Sequence, residues 1–267
     1  MKRLSICLLA LFCVMAFSSL AAEPLEWKLK VGELDREVLV YLPSKPSDAP
    51  VPVVFGFHGH GGNARNAART FHFQDLWPEA IVVYMQGIPT PGRLTDPEGK
   101  RNGWQHNAGD LGDRDLKFFD AVLARLRQEH RVDDRRIYAT GHSNGGGFTY
   151  LLWAQRHEVF AAMAPSAAGG RSVLSLKPKP AMHLAGEKDA LVKYEIQQRV
   201  MAAVLQINGC EKTGAAWAKQ ATIYSSRGGT PFITFIHPGG HAYPQEAPPL
   251  IVRFFKEHSL PPPETKR

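Results

Sequence analysis

The chain has 267 residues, of which 44% are hydrophobic and 21% are charged, and its formal net charge is +7 at pH 7. This length suits one large α/β domain, and the composition excludes a disordered, collagen-like or membrane-bundle protein. Basic and acidic residues are interspersed, with no polybasic run and no basic helix. We therefore expect no nucleic-acid partner.

The N-terminus has the pattern of a secretory signal peptide. Lys2 and Arg3 precede a nearly continuous apolar run at residues 4–20, and small residues follow at a plausible cleavage site. A membrane anchor is the alternative, but the run is at the lower limit of length for a bilayer span. We expect a signal peptide over 1–22, one catalytic α/β domain over 23–267, a secreted or periplasmic location, and no stable membrane association after cleavage.

Strand and helix patterns alternate along the rest of the chain. Alternating apolar and polar residues predict an entry hairpin at 26–31 and 36–42. Continuous apolar runs, typical of strands buried on both faces, lie at 51–57, 80–85, 136–140, 159–164, 181–185 and 232–236. Amphipathic helices are predicted at 116–130, 144–156, 194–207 and 249–258. This order predicts an α/β-hydrolase type of architecture, with a mostly parallel central sheet and helices on both faces.

One long irregular stretch, residues 87–112, is rich in Gly, Pro, Asp and Asn. Loops of this length often line a functional site, so we expect the pocket walls here. Trp104 in this stretch either lines a substrate pocket or folds onto the core beneath the loop. Asp113 and Asp115 follow it, and we interpret them as helix N-terminal charges rather than catalytic acids.

The segment GHSNG at residues 141–145 fits the pattern G-x-S-x-G. In a nucleophile elbow the chain turns sharply from a strand into a helix and holds the serine in a strained conformation. Glycine is needed two residues to either side because strand and helix approach closely there. A strand is predicted before this segment and a helix after it, so Ser143 is the candidate nucleophile. The alternative is a Gly-rich turn with an inert serine.

An acid and a base follow Ser143 in the order Ser, Asp, His that this architecture uses. Asp189 lies just past a predicted strand, and His241 lies in a glycine-containing loop after the last predicted strand. A serine hydroxyl needs such a base to take its proton. Glu187 remains an alternative acid and His237 an alternative base, because only geometry decides between them.

Two backbone amides are the candidate oxyanion donors. One belongs to Asn144, directly after the candidate nucleophile, and we assign the other to His60 in the loop HGHGG at 58–62. His58 and His60 also form a His-x-His pair that zinc can use, but no further ligand pair lies nearby. We therefore expect no metal and no cofactor, and structural roles for both imidazoles.

Several motifs together resemble a known family. They are HGHGG at 58–62, VYMQG at 83–87, GW at 103–104, GHSNGG at 141–146 and GGHAYP at 239–244. The set is similar to the secreted polyhydroxybutyrate depolymerases, feruloyl esterases and acetylxylan esterases (carbohydrate esterase family 1-like) of the α/β-hydrolase superfamily.

The resemblance implies a carboxylic-ester hydrolase that uses no cofactor. Its triad would be Ser143, Asp189 and His241. Tyr243 stands where the family often has Trp, which makes it a candidate substrate-contacting residue beside the base.

The resulting hypothesis is ester hydrolysis through an acyl-enzyme on Ser143. The expected partner is an ester, either a feruloyl or acetyl ester of plant cell-wall polysaccharide or a hydroxyalkanoate oligomer. A peptidase of the same fold is one alternative, and a non-catalytic hydrolase-fold binding protein is the other. Pocket shape decides among these substrates, and the sequence does not give that shape.

Overall fold

A computed structural model of the protein describes residues 23–45, 48–92 and 94–262. The predicted signal peptide over 1–22 lies outside these ranges. Within them, no helix has the length and apolar character that a bilayer span needs.

One large sheet runs through the described part of the chain. Its strands are β1 (Leu25–Val31), β2 (Leu34–Tyr41), β3 (Val51–Phe57), β4 (Ile81–Met85), β7 (Val132–His142), β8 (Ala162–Ser166), β9 (Ala181–Gly186), β10 (Ala215–Ala218), β11 (Ala221–Tyr224) and β12 (Phe232–His237). Two short strands, β5 (Ile88–Pro89) and β6 (Asn102–Gly103), pair separately within the long loop.

The strand order of the large sheet is β1-β2-β4-β3-β7-β8-β9-β12-β11-β10. From β4 to β12 every neighbouring pair is parallel. Antiparallel pairs complete the two edges, β1 and β2 on one side and β11 and β10 on the other. Because the central strands are parallel, their carboxyl ends meet at one edge of the sheet, where such folds place their ligand sites.

Helices cover both faces of the sheet. They are α1 (Ala64–Phe71), α2 (Phe73–Leu76), α3 (Arg114–Glu129), α4 (Asn144–Gln155), α5 (Tyr194–Ile207) and α6 (Ala247–Lys256), with short 3-10 turns at Asp110–Asp113, His157–Val159 and Arg171–Ser175. Buried residues of α3, α4 and α5 pack in one core layer, and those of α1, α2 and α6 pack in the other. The predicted α/β-hydrolase architecture is therefore confirmed.

The element predictions fail in specific places. The strand at Val51–Phe57 and the helix at Tyr194–Ile207 have the predicted bounds. Helix α1 was not predicted, although Asn63 caps it by accepting from the amide of Asn66 at 2.8 Å and its buried positions have helical spacing. Strands β10 and β11 were missed because their short, half-exposed sequences carry only a weak alternating pattern.

A buried ion pair joins the sheet to the start of α3. Arg36 on β2 donates to Asp115 Oδ1 at 2.8 Å, and neither side chain is exposed. The guanidinium also donates to the carbonyl of Gln86 at 3.3 Å and lies 4.1 Å from the ring centroid of Phe118. Asp115 Oδ2 accepts from the amide of Gln105 at 2.8 Å. Asp115 does stand in the first turn of α3, as expected, but it is a buried anchor for the long loop rather than a solvated charge.

This anchor predicts a large effect of Asp115→Ala on stability. The substitution leaves the Arg36 guanidinium buried without its counter-charge, so we expect the free energy of unfolding to fall by about 3–5 kcal/mol in urea denaturation. The matched control is Asp134→Ala, which breaks an exposed 2.8 Å pair with Arg127 and costs at most about 1 kcal/mol. Equal losses in the two variants would contradict the anchoring role.

Candidate active site

Ser143 lies at a sharp turn between β7 and α4. Its backbone angles are φ 56° and ψ −118°, a region that residues with a side chain rarely adopt. Such a conformation costs on the order of 1–3 kcal/mol and persists only where the surroundings enforce it. Here the Ser143 amide donates to the carbonyl of Ser166 at 2.9 Å, and its own carbonyl accepts from Gly147 at 2.9 Å.

The glycines on either side of Ser143 are required by contact with backbone. A Cβ added to Gly145 would lie 2.3 Å from the carbonyl oxygen of Phe57, at the end of β3. A Cβ added to Gly141 would lie 2.4 Å from the carbonyl oxygen of Gly145. Neither contact is possible for a side-chain carbon, so strand and helix approach as closely here as the motif predicted.

The structure brings Ser143, His241 and Asp189 together. Ser143 Oγ lies 2.8 Å from His241 Nε2, and His241 Nδ1 lies 2.9 Å from Asp189 Oδ2. Because a carboxylate only accepts hydrogen bonds, the Nδ1 atom carries the proton and Nε2 is left to accept from the serine hydroxyl. The Asp189 side chain is fully buried, whereas that of His241 is 24% exposed on the open side of the site.

Asp189 is held by its own turn. Its Oδ1 accepts from the amides of Leu191 at 2.9 Å and Val192 at 2.8 Å. The alternative acid and base take no part in this hydrogen-bonded series. Glu187 is exposed, and the Nδ1 atom of His237 accepts from the Gly239 amide at 3.2 Å. Geometry therefore favours Asp189 over Glu187, and His241 over His237.

Backbone hydrogen bonds join the loop that carries Asp189 to the loop that carries His241. The amide of Glu187 donates to the carbonyl of His237 at 2.9 Å, and that of Lys188 donates to Gly239 at 2.9 Å. A Cβ added to Gly186 would lie 2.3 Å from the carbonyl oxygen of Gly240. This close approach fixes the separation between the ends of β9 and β12, and with it the distance between the carboxylate and the imidazole.

The two predicted oxyanion donors both line the cleft beside Ser143. Among the described residues, the amides of His60 and Asn144 donate to no backbone or side-chain acceptor, whereas those of Gly61 and Gly62 donate to Asn102 and Gly59. Their N–H groups are thus available to a ligand. An oxyanion site requires such free donors beside the nucleophile.

The Asn144 side chain has a further contact that the sequence did not reveal. Its Oδ1 accepts from the amide of Trp104 at 2.7 Å, and its Nδ2 donates to the Trp104 carbonyl at 3.0 Å. This two-point contact resembles a pairing of β-strands. It fastens the long loop directly to the residue that follows the serine.

The imidazoles of His58 and His60 hold loops in place. His58 donates from Nδ1 to the carbonyl of Gly59 at 2.8 Å and accepts at Nε2 from Gly87 at 2.9 Å. His60 Nε2 lies 3.0 Å from the Asp96 carboxylate. Across the described ranges, no group of three or more His, Cys, Asp or Glu side chains is arranged to hold a metal ion.

His142 packs behind the candidate base. Its ring centroid lies 5.0 Å from that of His241, and its Nδ1 lies 3.2 Å from the Ser166 hydroxyl. Burial, together with a smaller effect of the neighbouring His241, lowers the pKa of His142 to about 4. The side chain therefore stays neutral near pH 7 and adds no charge beside the catalytic candidates.

The cleft above Ser143 has a volume of about 740 Å³. The long loop supplies a polar wall that includes Arg101, His106 and Asn107, as expected from the sequence. A second wall is mostly apolar and was not predicted. It comes from the start of α5 and the turn before it. Its apolar members are Leu191, Val192, Ile196 and Val200, and Arg199 is its charged member.

Trp104 and Tyr243 do not contact the cleft, so the predicted substrate contacts are corrected. Trp104 is fully buried, donates from Nε1 to the His58 carbonyl at 2.8 Å and stacks on Phe148 at 5.2 Å. Tyr243 packs on Phe71 at 4.7 Å, and its hydroxyl is buried without a described partner. The Trp104 ring packs beneath the site, and the Tyr243 residue is half-buried; neither lines the cleft.

Comparison with known proteins agrees with the fold. A model of the prolyl oligopeptidase family (Peptidase_S9) matches residues 98–177. Probable feruloyl esterase C of Aspergillus clavatus is 28% identical over 214 residues, which cover 77% of this chain and 75% of that protein. Acetyl xylan esterase from Aspergillus awamori superposes with a TM-score of 0.66 at 13% identity, covering 86% of this chain and 98% of that one. A ferulic acid esterase superposes with a TM-score of 0.63 at 16% identity, covering 88% and 98%.

The chain has the α/β-hydrolase fold. Its predicted resemblance to feruloyl and acetylxylan esterases is confirmed, and these relatives agree with the prediction of a carboxylic ester hydrolase.

The apolar wall has only a weak signal in the sequence. Ile196 and Val200 are one helical turn apart on α5, so they share a face, and Ile196 is 44% exposed. A single exposed isoleucine is ordinary on a protein surface, so this spacing does not by itself indicate a site. What the sequence lacks is the position of α5 relative to Ser143, which depends on how β9 is placed in the sheet.

Three buried histidines predict how the stability of the protein depends on pH. Burial lowers the pKa of His58, His142 and His183 to about 4, whereas unfolded histidine titrates near about 6.5. Between these values the unfolded chain binds protons that the folded chain does not, so stability is complete above pH ~6.5 and is lost as the pH falls towards ~4. We expect urea denaturation to show a fall on the order of 1 kcal/mol per histidine per pH unit in this window.

His183→Gln is the variant that tests this assignment. It removes one titrating group, so the dependence of the unfolding free energy on pH should become shallower between pH ~4.5 and ~6.5. Most carboxylates titrate below this window, which separates their contribution. An unfolding free energy that does not change over the window in the unmodified protein would show that the histidines are not held neutral.

Proposed function

We propose that this protein hydrolyses carboxylic esters through a covalent acyl-enzyme on Ser143, and that its preferred substrates are arylacyl esters of the feruloyl type. The observation that carries the proposal is the continuous hydrogen-bonded series from Ser143 Oγ through His241 to Asp189, with distances of 2.8 and 2.9 Å. The proposal also includes the roles of His60 and Asn144 as oxyanion donors.

In the acylation step, Ser143 Oγ attacks the ester carbonyl while His241 Nε2 takes the hydroxyl proton. Asp189 keeps the imidazole in the required tautomer and stabilises the imidazolium that forms. The negative oxygen of the tetrahedral intermediate accepts from the amides of His60 and Asn144. The imidazolium then gives its proton to the leaving alcohol, and the acyl group remains on the serine.

Deacylation repeats the sequence with water. His241 deprotonates a water molecule that attacks the acyl carbonyl, and the same two amides stabilise the second intermediate. Release of the carboxylic acid returns the proton to Ser143. Every step uses side chains already in contact, so no rearrangement of the triad is required.

The shape of the cleft favours an aromatic acyl group over a small one. A volume of about 740 Å³ greatly exceeds what an acetyl group fills. The apolar wall offers Leu191, Ile196 and Val200 to a planar ring, and the polar wall offers Arg101 and Asn107 to a hydroxylated sugar. Aspergillus relatives named feruloyl esterase support the same choice. Acetylated xylan and hydroxyalkanoate oligomers are the competing ester classes.

Peptide hydrolysis is the second candidate because the prolyl oligopeptidase model matches residues 98–177. The triad chemistry is the same for an amide and an ester. A panel that pairs each ester with the corresponding amide separates the two, and the proposal expects turnover of the esters alone.

We also propose that the domain acts outside the cytoplasm, after removal of residues 1–22. The apolar N-terminal sequence and its small-residue end support this proposal. Mass spectrometry of the N-terminus of the protein recovered from culture medium or periplasm gives the cleavage position.

Substitution of Ile196 tests the assignment of the acyl site. Ile196→Asp places a charge on the apolar wall, so kcat/KM for a methyl hydroxycinnamate should fall by roughly 10-fold to 200-fold. Hydrolysis of a short acetyl ester, which does not reach the wall, should change by less than about 3-fold. The matched control is Leu34→Asp, at an exposed leucine of β2 outside the cleft, which should leave both rates unchanged.

Two results would contradict the proposal. One is equal loss on both esters in Ile196→Asp, which would separate the acyl site from the α5 wall. The other is a wild-type protein that hydrolyses acetyl or hydroxybutyrate esters better than hydroxycinnamates, which would replace the proposed substrate class.

A further inference from the structure

A chain of buried polar groups continues beyond Asp189 into the core. Asp189 Oδ2 accepts from Gln197 Nε2 at 3.0 Å, in addition to the bond from His241. Gln197 Oε1 lies 3.2 Å from His183 Nε2, and His183 Nδ1 lies 2.7 Å from the hydroxyl of Tyr150. Gln197, His183 and Tyr150 are each completely buried.

The direction of every hydrogen bond in this chain is determined. Gln197 Nε2 faces the Asp189 carboxylate and, at 2.7 Å, the carbonyl of Val192, and both of these only accept. The amide oxygen must therefore face His183, so His183 Nε2 carries the proton. Nδ1 of the neutral ring then accepts from Tyr150. No group in the chain has an alternative orientation that keeps all of these bonds.

The chain also connects the three elements that carry the site. Tyr150 is on α4, which begins directly after Ser143. His183 is on β9, which leads to Asp189, and Gln197 is on α5, between two residues of the apolar wall. An apolar core would pack these elements without such a chain, and each buried polar group has a desolvation cost. A fully satisfied network of this kind specifies one arrangement of its members.

We propose that Gln197, His183 and Tyr150 are positioning residues that fix the Asp189 carboxylate for the His241 imidazole. The proposal rests on the esterase mechanism above. Oδ1 is already held by two backbone amides, so the function of Gln197 is to orient Oδ2 and to share its negative charge with the bond to His241. His183 holds the Gln197 amide in the donating orientation, and Tyr150 holds the His183 tautomer.

Gln197→Met is the primary test because methionine has a similar shape and no donor. With one donor removed, more negative charge remains on Oδ2, so it attracts the imidazolium more strongly. We expect the acid limb of the kcat/KM profile to move upward by roughly half a pH unit. The less constrained carboxylate should lower kcat by about 10-fold or more, with KM within about 2-fold of wild type, because the chain does not touch substrate.

A second pair of variants keeps the proposal testable if Gln197→Met does not fold. His183→Gln retains an N–H donor near the Nε2 position and should keep most of the wild-type kcat. His183→Leu removes that donor. We expect it to lower kcat and to shift the pH profile in the same directions as Gln197→Met, but by smaller amounts. Because both residues act through one chain, the double variant Gln197→Met with His183→Leu should lose no more activity than Gln197→Met alone.

Tyrosine variants supply the matched control. Tyr150→Phe and Tyr138→Phe each remove one hydroxyl that makes a short hydrogen bond, of 2.7 Å to His183 and 2.6 Å to the carbonyl of His258 respectively. Both should lower stability. Only Tyr150→Phe should lower kcat and move the pH profile, since Tyr138 lies outside the chain.

Labelling of Ser143 by a fluorophosphonate separates failure of this proposal from failure of the proposed function. In that reaction Ser143 Oγ bonds to phosphorus, fluoride leaves and His241 takes the proton, so no cognate ester is needed. We expect Gln197→Met, His183→Leu and Tyr150→Phe to label more slowly than wild type by the same order as their kcat losses. Wild-type labelling rates and pH profiles in all three would overturn the positioning role, whatever ester the enzyme uses.

Discussion

The backbone of Ser143 is held at φ 56° and ψ −118° by the contact between α4 and the ends of β3 and β7, and the geometry of the site depends on this constraint. Gly141 and Gly145 allow that contact because any side-chain carbon there would overlap backbone. Strain at the turn is offset by the packing of a largely buried α4 in the core. With Ser143 fixed, the loops after β3, β9 and β12 meet it because parallel strands end at one edge of the sheet.

Two buried carboxylates organise what surrounds this turn. Asp115 accepts from Arg36 and from the long loop, so it sets the polar wall of the cleft. Asp189 accepts from its own turn, from Gln197 and from His241. In both cases the donors compensate for the loss of hydration, which is the condition under which a carboxylate is tolerated in a core. Asp115 fixes the polar wall of the cleft, and Asp189 fixes the imidazole of His241.

Sequence patterns predict those features of the structure that are determined by residues close together in the chain. The elbow was predictable because Gly141, Ser143 and Gly145 meet a steric demand within five residues. The choice of Asp189 over Glu187 was not, because it depends on the turn at 187–193 and on its bonds to the loop after β12.

The sequence alone also does not predict the roles of the aromatic residues near the site. Trp104 is a large apolar ring in a polar loop, and only the path of that loop shows that it folds inward onto Phe148. The wall formed by α5 and the chain from Gln197 to Tyr150 combine residues that are distant in sequence. Their periodicity is that of ordinary helix and strand packing, which carries no sign of a site.

The central claim is that Ser143 becomes acylated during turnover. The most direct measurement is mass spectrometry of protein quenched in acid within the first turnovers of a hydroxycinnamoyl ester, followed by peptide mapping. The account predicts one acyl group per chain, on the peptide that contains Ser143, and no adduct in Ser143→Ala. Turnover without any acylated Ser143, or ester hydrolysis at the wild-type rate by Ser143→Ala, would contradict it.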